Sequence, residues 1–229
     1  MTGNERDTIV GIGAAITRTE DLRLLTGRGR YAGDFHPGDA AHAALVRSPH
    51  AHARIVHIDV SAAQMMPGVL AILTGADARA DGLQPIPHNP DWTAPPDATL
   101  NLPKSFRVFT SSHEVLCVDT VRFVGEPLAA CIGETRAEAE DLAQAVTADI
   151  EPLEPVIDML AARAPGSPLV HDDWGDNVVL ETAFDGDMAS VAAEAAVSIT
   201  KEYRMSRQAM VPMEARAVLA EWDSRQDQL

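Results

Sequence analysis

Leu128-Ala-Ala-Cys-Ile132, Gly133-Glu134 and then Thr135-Arg-Ala-Glu-Ala-Glu-Asp-Leu-Ala-Gln-Ala-Val146 form the stretch whose reading decides the fold. Five apolar residues without a polar interruption suit a strand buried on both faces. Thr135 followed three residues later by Glu138 is the capping-box spacing, in which each side chain satisfies the other's backbone N–H. Ala139, Leu142, Ala143 and Val146 then recur at helical spacing while Glu138, Glu140 and Asp141 face water, so the segment predicts an amphipathic helix over 135–146. A buried strand running into a helix that packs back on it points to a mixed α and β architecture.

Working outward, Ala41–Val46, Arg54–Asp59 and Val69–Leu73 read as strands, with a short helix over Val60–Met66 stopped by Pro67-Gly68. Thr19-Glu20-Asp21 starts a single helical turn that Gly27 stops. From Asp77 to Ser112 six prolines interrupt the pattern and predict an irregular segment. Val115–Val118 and Arg122–Val124 read as further strands ahead of the decisive stretch. After it, strands are expected at Thr147–Ile150, Glu154–Ile157, Val178–Phe184, Val197–Met205 and Val218–Trp222, with helices at Met159–Arg163 and Met188–Ala195. A turn over Asp223–Asp227 after that last strand predicts a hairpin whose return strand comes from a partner or from a longer chain.

The 229 residues suit one large domain or two small ones. Net charge is −16, divided into −1 over residues 1–113 and −15 over 114–229. Such a surface repels phosphates, which excludes nucleic acid and anionic membrane as partners. No apolar run approaches the ~18 residues of a membrane span. Cys117 and Cys131 sit in apolar stretches without CxxC spacing and read as buried, inert thiols. The N-terminus lacks the basic and long apolar regions of a signal peptide, so a cytoplasmic protein is expected.

Chemistry-bearing patterns are few. His36, His42, His50, His52 and His57 fall within 22 residues, but no Cys, Asp or Glu at ligand spacing completes a metal site, and loop or strand-edge contacts account for them. The glycines around Gly11–Gly13 and Gly27–Gly29 lack the strand–turn–helix context of a dinucleotide fingerprint and read as turns. A nucleophile elbow, a P-loop and a zincin helix are absent. The remaining cluster spans Arg204 to Arg216, where an amide, a carboxylate and three guanidinium groups interrupt an apolar run. Gln208 can hold an oxo group or a substrate without changing charge. Glu214 can pair with Arg216 or with backbone, and both a structural and an active-site role stay open for the cluster.

Several segments, in order, resemble one family. Glu20-Asp-Leu-Arg-Leu-Leu-Thr-Gly-Arg-Gly-Arg-Tyr31, Val46-Arg-Ser-Pro-His-Ala-His-Ala-Arg-Ile55, Pro67-Gly-Val69 with Leu73-Thr-Gly-Ala-Asp77, Val121-Arg-Phe-Val-Gly-Glu-Pro-Leu-Ala129, Glu134-Thr-Arg-Ala-Glu-Ala-Glu-Asp141 and Gln208 through Glu214 are similar to the molybdopterin-binding large subunits of the xanthine dehydrogenase, aldehyde oxidase and CO dehydrogenase group. The resemblance covers about residue 15 to the C-terminus. It implies an α+β fold: an N-terminal extension over 1–19, an α/β hammerhead domain over 20–133, a connecting helix over 134–146 and an incomplete first molybdopterin-binding domain over 147–229.

It also implies a hydroxylation in which water supplies oxygen to an N-heterocycle or aldehyde, or in which CO is oxidised. Molybdenum–molybdopterin is the implied cofactor, in bacterial relatives often as the cytosine dinucleotide. Electrons would leave through [2Fe-2S] clusters and FAD on partner subunits. Gln208 matches the family glutamine that hydrogen-bonds the apical oxo ligand of molybdenum, which gives it a catalytic and cofactor-binding role by resemblance. Met210 and Glu214 are candidates for the substrate pocket, and no residue is expected to ligate metal directly. Met210, Ala215 and Ala217 depart from residues common in the family. The family's glycine-rich cofactor segments and its catalytic glutamate fall downstream of residue 229, so this chain alone is expected to be inactive and to need the remainder of the subunit. A non-catalytic acidic assembly module is the alternative, in which Gln208 would have no chemical part.

Overall fold

The computed structural model describes residues 11–12, 16–88, 106–181 and 186–229. They divide into two compact units, one built from residues 1–40 and 201–229 and the other from 41–200.

In the first unit, helix α1 spans Asp21–Leu25 and begins, as expected, at Glu20, although no side chain caps it. A 3₁₀ turn follows at Ala32–Asp34, where the Asp34 carboxylate accepts the Tyr31 N–H at 2.8 Å. The strand expected at Val218–Trp222 does not form. A strand needs a neighbour to take its backbone donors and acceptors, and the described residues offer 218–222 none. The turn beyond it is real: Asp223 and Gln228 bridge antiparallel, with Asp223 N–H donating to the Gln228 carbonyl at 2.8 Å.

The second unit carries the decisive stretch. Strands β1 (His42–Arg47), β2 (Ala53–Asp59) and β3 (Val69–Thr74) are joined by a short helix α2 (Ser61–Gln64). Helix α3 (Gly75–Ala80) follows β3 directly, where an irregular segment was expected. The Thr74 hydroxyl accepts the Asp77 N–H while the Asp77 carboxylate accepts the Thr74 N–H and hydroxyl, so the Thr-x-x-Asp spacing of a capping box was the overlooked signal. Those bonds also hold the Asp77 carboxyl below its usual range. Three short strands come next, β4 (Ile86–His88), β5 (Arg107–Val108) and β6 (Ser111–His113), of which β4 and β6 pair. The rest of the proline-rich segment, residues 89–105, lies outside the described residues.

Residues 115–118 and 122–124 are not strands; only β7 (Thr120–Val121) forms there. Leu116 and Cys117 are buried, which explains the apolar pattern, but Cys117 N–H bonds the Pro127 carbonyl at 2.7 Å as a single contact and no ladder continues it. Phe123 and Val124 lead into a turn whose Gly125 has φ +87°, a conformation that rejects a Cβ.

Strand β8 (Pro127–Gly133) is central: it pairs antiparallel with β1 on one side and β3 on the other. Helix α4 (Arg136–Ala145) packs across β8 and β1. Its capping box is present, with Thr135 accepting the Glu138 N–H at 3.2 Å and Glu138 accepting the Thr135 N–H at 2.9 Å. The segment read as a connecting helix thus covers the sheet. The strand after it, β9 (Thr147–Pro152), pairs along β2 in a second sheet of order β7-β2-β9. Two apolar clusters fill the interior: Ala63, Cys131, Leu142 and Val146 between α4 and the first sheet, and Ala53, Cys117, Val121 and Leu128 between the sheets.

Beyond β9 the expected strand at 154–157 is irregular, the helix at 159–163 shrinks to a 3₁₀ turn at Ala161–Arg163, and β10 (Leu180–Glu181) is short and pairs with β5. Residues 182–184 of the predicted 178–184 strand lie outside the described residues. Helix α5 (Met188–Glu194) starts at Asp187, which accepts the Ser190 N–H at 3.0 Å. Residues 197–205 form no strand. Among the described residues no helix is long and apolar enough to cross a membrane.

A close backbone approach in the unit gives a prediction. A Cβ on Gly133 would stand 2.7 Å from the Ala139 amide nitrogen, backbone that cannot yield without lifting α4 off β8. Gly133→Ala should destabilise the full-length protein by about 1–3 kcal/mol, the cost of overpacking. A thermal midpoint equal to wild type would show that α4 is not seated this closely.

Candidate functional site

Gln208, Met210 and Glu214 lie on an irregular stretch of the first unit. Gln208 is exposed, and among the described residues its carboxamide has no hydrogen-bond partner, leaving two N–H donors and a carbonyl available. Met210 is 92% exposed, so its thioether is likewise uncovered. Glu214 is engaged: its Oε1 accepts the Ala32 N–H at 3.0 Å. Of the pairings open to Glu214, backbone is the one formed. Arg204 pairs locally with Glu202 at 2.6 Å and contributes nothing at Gln208.

Other chemistry-bearing residues serve the scaffold. His52 Nδ1 lies 2.9 Å from the Glu154 carbonyl oxygen and ties the end of β2 to the chain after β9. Among the described residues no three His, Cys, Asp or Glu side chains converge to hold a metal ion. A cavity of about 450 Å³ in the second unit is lined by Arg79, His113, Cys117, Arg122, His171 and Trp174 among others. Arg79 is neutralised there by Glu114 at 3.2 Å and Asp119 at 3.5 Å, and Arg122 donates to the carbonyls of Val170 and Thr120 at 3.1 Å each. Burial, helped by the nearby Glu126 carboxylate, pushes the Cys117 thiol up to about 12, so it is no nucleophile at neutral pH. Burial lowers the His171 imidazole, which stacks on Trp174 with centroids 4.1 Å apart. With its thiol protonated, Cys117 is not activated as a nucleophile in this cavity, and both arginines are committed to other partners.

Among the described residues, Ser206, Arg207, Gln208 and Arg216 of the predicted stretch have no side-chain partner, and of these Gln208 offers a neutral amide. It can donate hydrogen bonds to an acceptor without adding charge. A neutral amide donor of this kind suits a cofactor that presents an oxygen acceptor. Molybdenum–molybdopterin meets that description, so the residues present fit the group that the sequence resemblance implies.

Comparison with known proteins bears on the same residues. Residues 26–154 match the family model described as aldehyde oxidase and xanthine dehydrogenase, a/b hammerhead domain. Residues 170–229, which include Gln208, match the molybdopterin cofactor-binding domain. The nicotine 6-hydroxylase large subunit of Paenarthrobacter nicotinovorans is 37% identical over 221 residues, covering 95% of this chain and 25% of that protein. The carbon monoxide dehydrogenase large chain of Afipia carboxidovorans is 33% identical over 178 residues, 77% of this chain and 20% of that one. Among solved structures, quinoline 2-oxidoreductase from Pseudomonas putida 86 superposes with a TM-score of 0.65 at 38% identity, over 80% of this chain and 21% of that one. The chain thus spans a fifth to a quarter of the length of these relatives.

Proposed function

The chain belongs to the aldehyde oxidase and xanthine dehydrogenase family, and from that premise we propose that it is the N-terminal part of the large subunit of a molybdenum hydroxylase acting on an aromatic N-heterocycle. Its α+β fold joins the hammerhead to a stretch of the molybdopterin-binding domain. The observation that carries the functional reading is the Gln208 amide, unengaged and inside the cofactor-binding match. When bound, molybdenum–molybdopterin would supply two-electron redox chemistry and draw the product's oxygen from water. Gln208 would hold the cofactor by donating an amide N–H to its oxo ligand, and Met210, two residues on, would face the substrate.

The names of the relatives support the substrate class. Nicotine and quinoline are both N-heterocycles, and the proteins named for them are 37% and 38% identical to this chain. An aldehyde or CO would be the alternative substrate within the same family. The cytosine dinucleotide form of the cofactor, the remainder of the large subunit and partner subunits carrying [2Fe-2S] and FAD complete the proposed enzyme, which would work in the cytoplasm.

Isotope labelling tests the reading. The full-length subunit, purified with its partners and given quinoline in H₂¹⁸O, should yield a hydroxylated product carrying ¹⁸O. Label arriving instead from ¹⁸O₂ would overturn the proposed chemistry, and oxidation of CO or an aldehyde but of no N-heterocycle would overturn the substrate class.

A further inference from the structure

Gln208 lies on a stretch with little to hold it. Among the described residues, the bond from the Ala32 N–H to Glu214 is the only hydrogen bond that joins residues 201–222 to another part of the chain. Its acceptor stands six residues after Gln208, and its donor is separated from Glu214 by 182 positions. The donor side is well defined. Tyr31 N–H donates to the Asp34 carboxylate, Asp34 N–H donates to the Tyr31 carbonyl at 2.9 Å, and the Arg30 guanidinium lies 4.1 Å from the centroid of the Phe35 ring. Ala32 N–H has no acceptor inside this turn, and the Glu214 carboxylate takes it.

The connection between anchor and amide is stiff. Pro212 stands between Gln208 and Glu214, its ring fixing its own φ and confining Val211 to extended backbone. A free stretch of six residues can reach ~20 Å and would let the carboxamide sweep widely. With its end tied and a proline inside it, far fewer directions remain.

We propose that Glu214 is a positioning residue: by accepting the Ala32 N–H it fixes the stretch that carries Gln208 and so aims the Gln208 amide at the cofactor. This deepens the reading of Gln208 given above and rests on it. Glu214 then has no need to touch substrate. The part of Glu214 that matters is a hydrogen-bond acceptor, which glutamine also possesses through its own Oε1.

Two variants and two measurements test the proposal in the full-length subunit. Hydrogen exchange is followed in peptides covering 30–35 and 206–216 of the cofactor-free protein, and kcat and KM are measured in the loaded complex. Glu214→Ala should speed exchange in both peptides and lower kcat by about tenfold, the size of one lost hydrogen bond, with KM little changed. Glu214→Gln should recover most of both. Unchanged exchange in Glu214→Ala would overturn the proposal, and so would equal losses in the two variants. Gln208→Ala in parallel separates this from the underlying reading. If it turns over like wild type, the role of Gln208 fails. If it is impaired while Glu214→Ala matches wild type in exchange and turnover, only the role of Glu214 fails.

Discussion

Gln208→Ala, made in the full-length subunit and assembled with its partners, is expected to lower kcat by about 10²–10³, the usual consequence of removing one preorganised donor from a reacting centre. The side chain is exposed and unbonded here, so its loss costs the fold nothing measurable. The thermal midpoint should therefore hold near wild type while turnover per bound molybdenum falls. Gln208→Glu is a sharper companion: it keeps the length, exchanges a donor for a negative charge and should be at least as slow, because an anion now faces an acceptor. The comparison that decides is kcat per bound molybdenum. Were the chain only an acidic assembly module, both variants would assemble and turn over like wild type.

Leu142→Ala carries the largest expected effect on stability. Leu142 has no exposed surface and lies on the inner face of α4, clustered with Ala63, Cys131 and Val146. Truncation leaves a hole beneath a helix pinned at its start by the Thr135–Glu138 box, so the site collapses poorly. The cost should be about 3 kcal/mol, within the range for buried leucines. For a domain of this size that is roughly 6–12 °C in the thermal midpoint. Leu142→Met, which conserves volume, should cost less than about 1.5 kcal/mol. An alanine variant that melts with wild type would mean that α4 is not the lid of this core.

These two expectations differ in how far they could be read in advance. The burial of Leu142 follows from spacing alone, because 139, 142, 143 and 146 share a helical face and the preceding capping box says where the helix begins. Gln208 has no such local signature. Its chemistry allows it to hold an oxo group or a substrate, but its specific role comes from the family resemblance, and in isolation an amide among arginines reads as readily as surface. The missed helix α3 was legible, since Thr74 and Asp77 have capping-box spacing, but the prolines that follow drew the reading toward loop. The failed strands at 115–118 and 122–124 could not have been excluded locally. An apolar run reports burial, and whether its backbone pairs in a ladder depends on what lies alongside.

The acidity of residues 114–229 belongs partly to α4, whose Glu140 and Asp141 face outward, and partly to turns where carboxylates accept backbone N–H groups. Asp158, Asp176, Asp187 and Asp223 each take such bonds, with Asp176 also gripping Arg107 at 2.9 Å. A good share of the charge thus organises turns.

By itself the sequence determined the elements whose signals lie within a few residues: β8 as a doubly buried strand, α4 with its cap and inner face, and the order of motifs that marks the family. Those follow from propensity, periodicity and capping, which act over one or two turns of chain. Only the tertiary structure decided that β8 sits between β1 and β3, that β9 returns to β2, and that Glu214 reaches Ala32 across 182 positions. Pairings at that separation are fixed by which surfaces meet after collapse, and no local pattern encodes the partner.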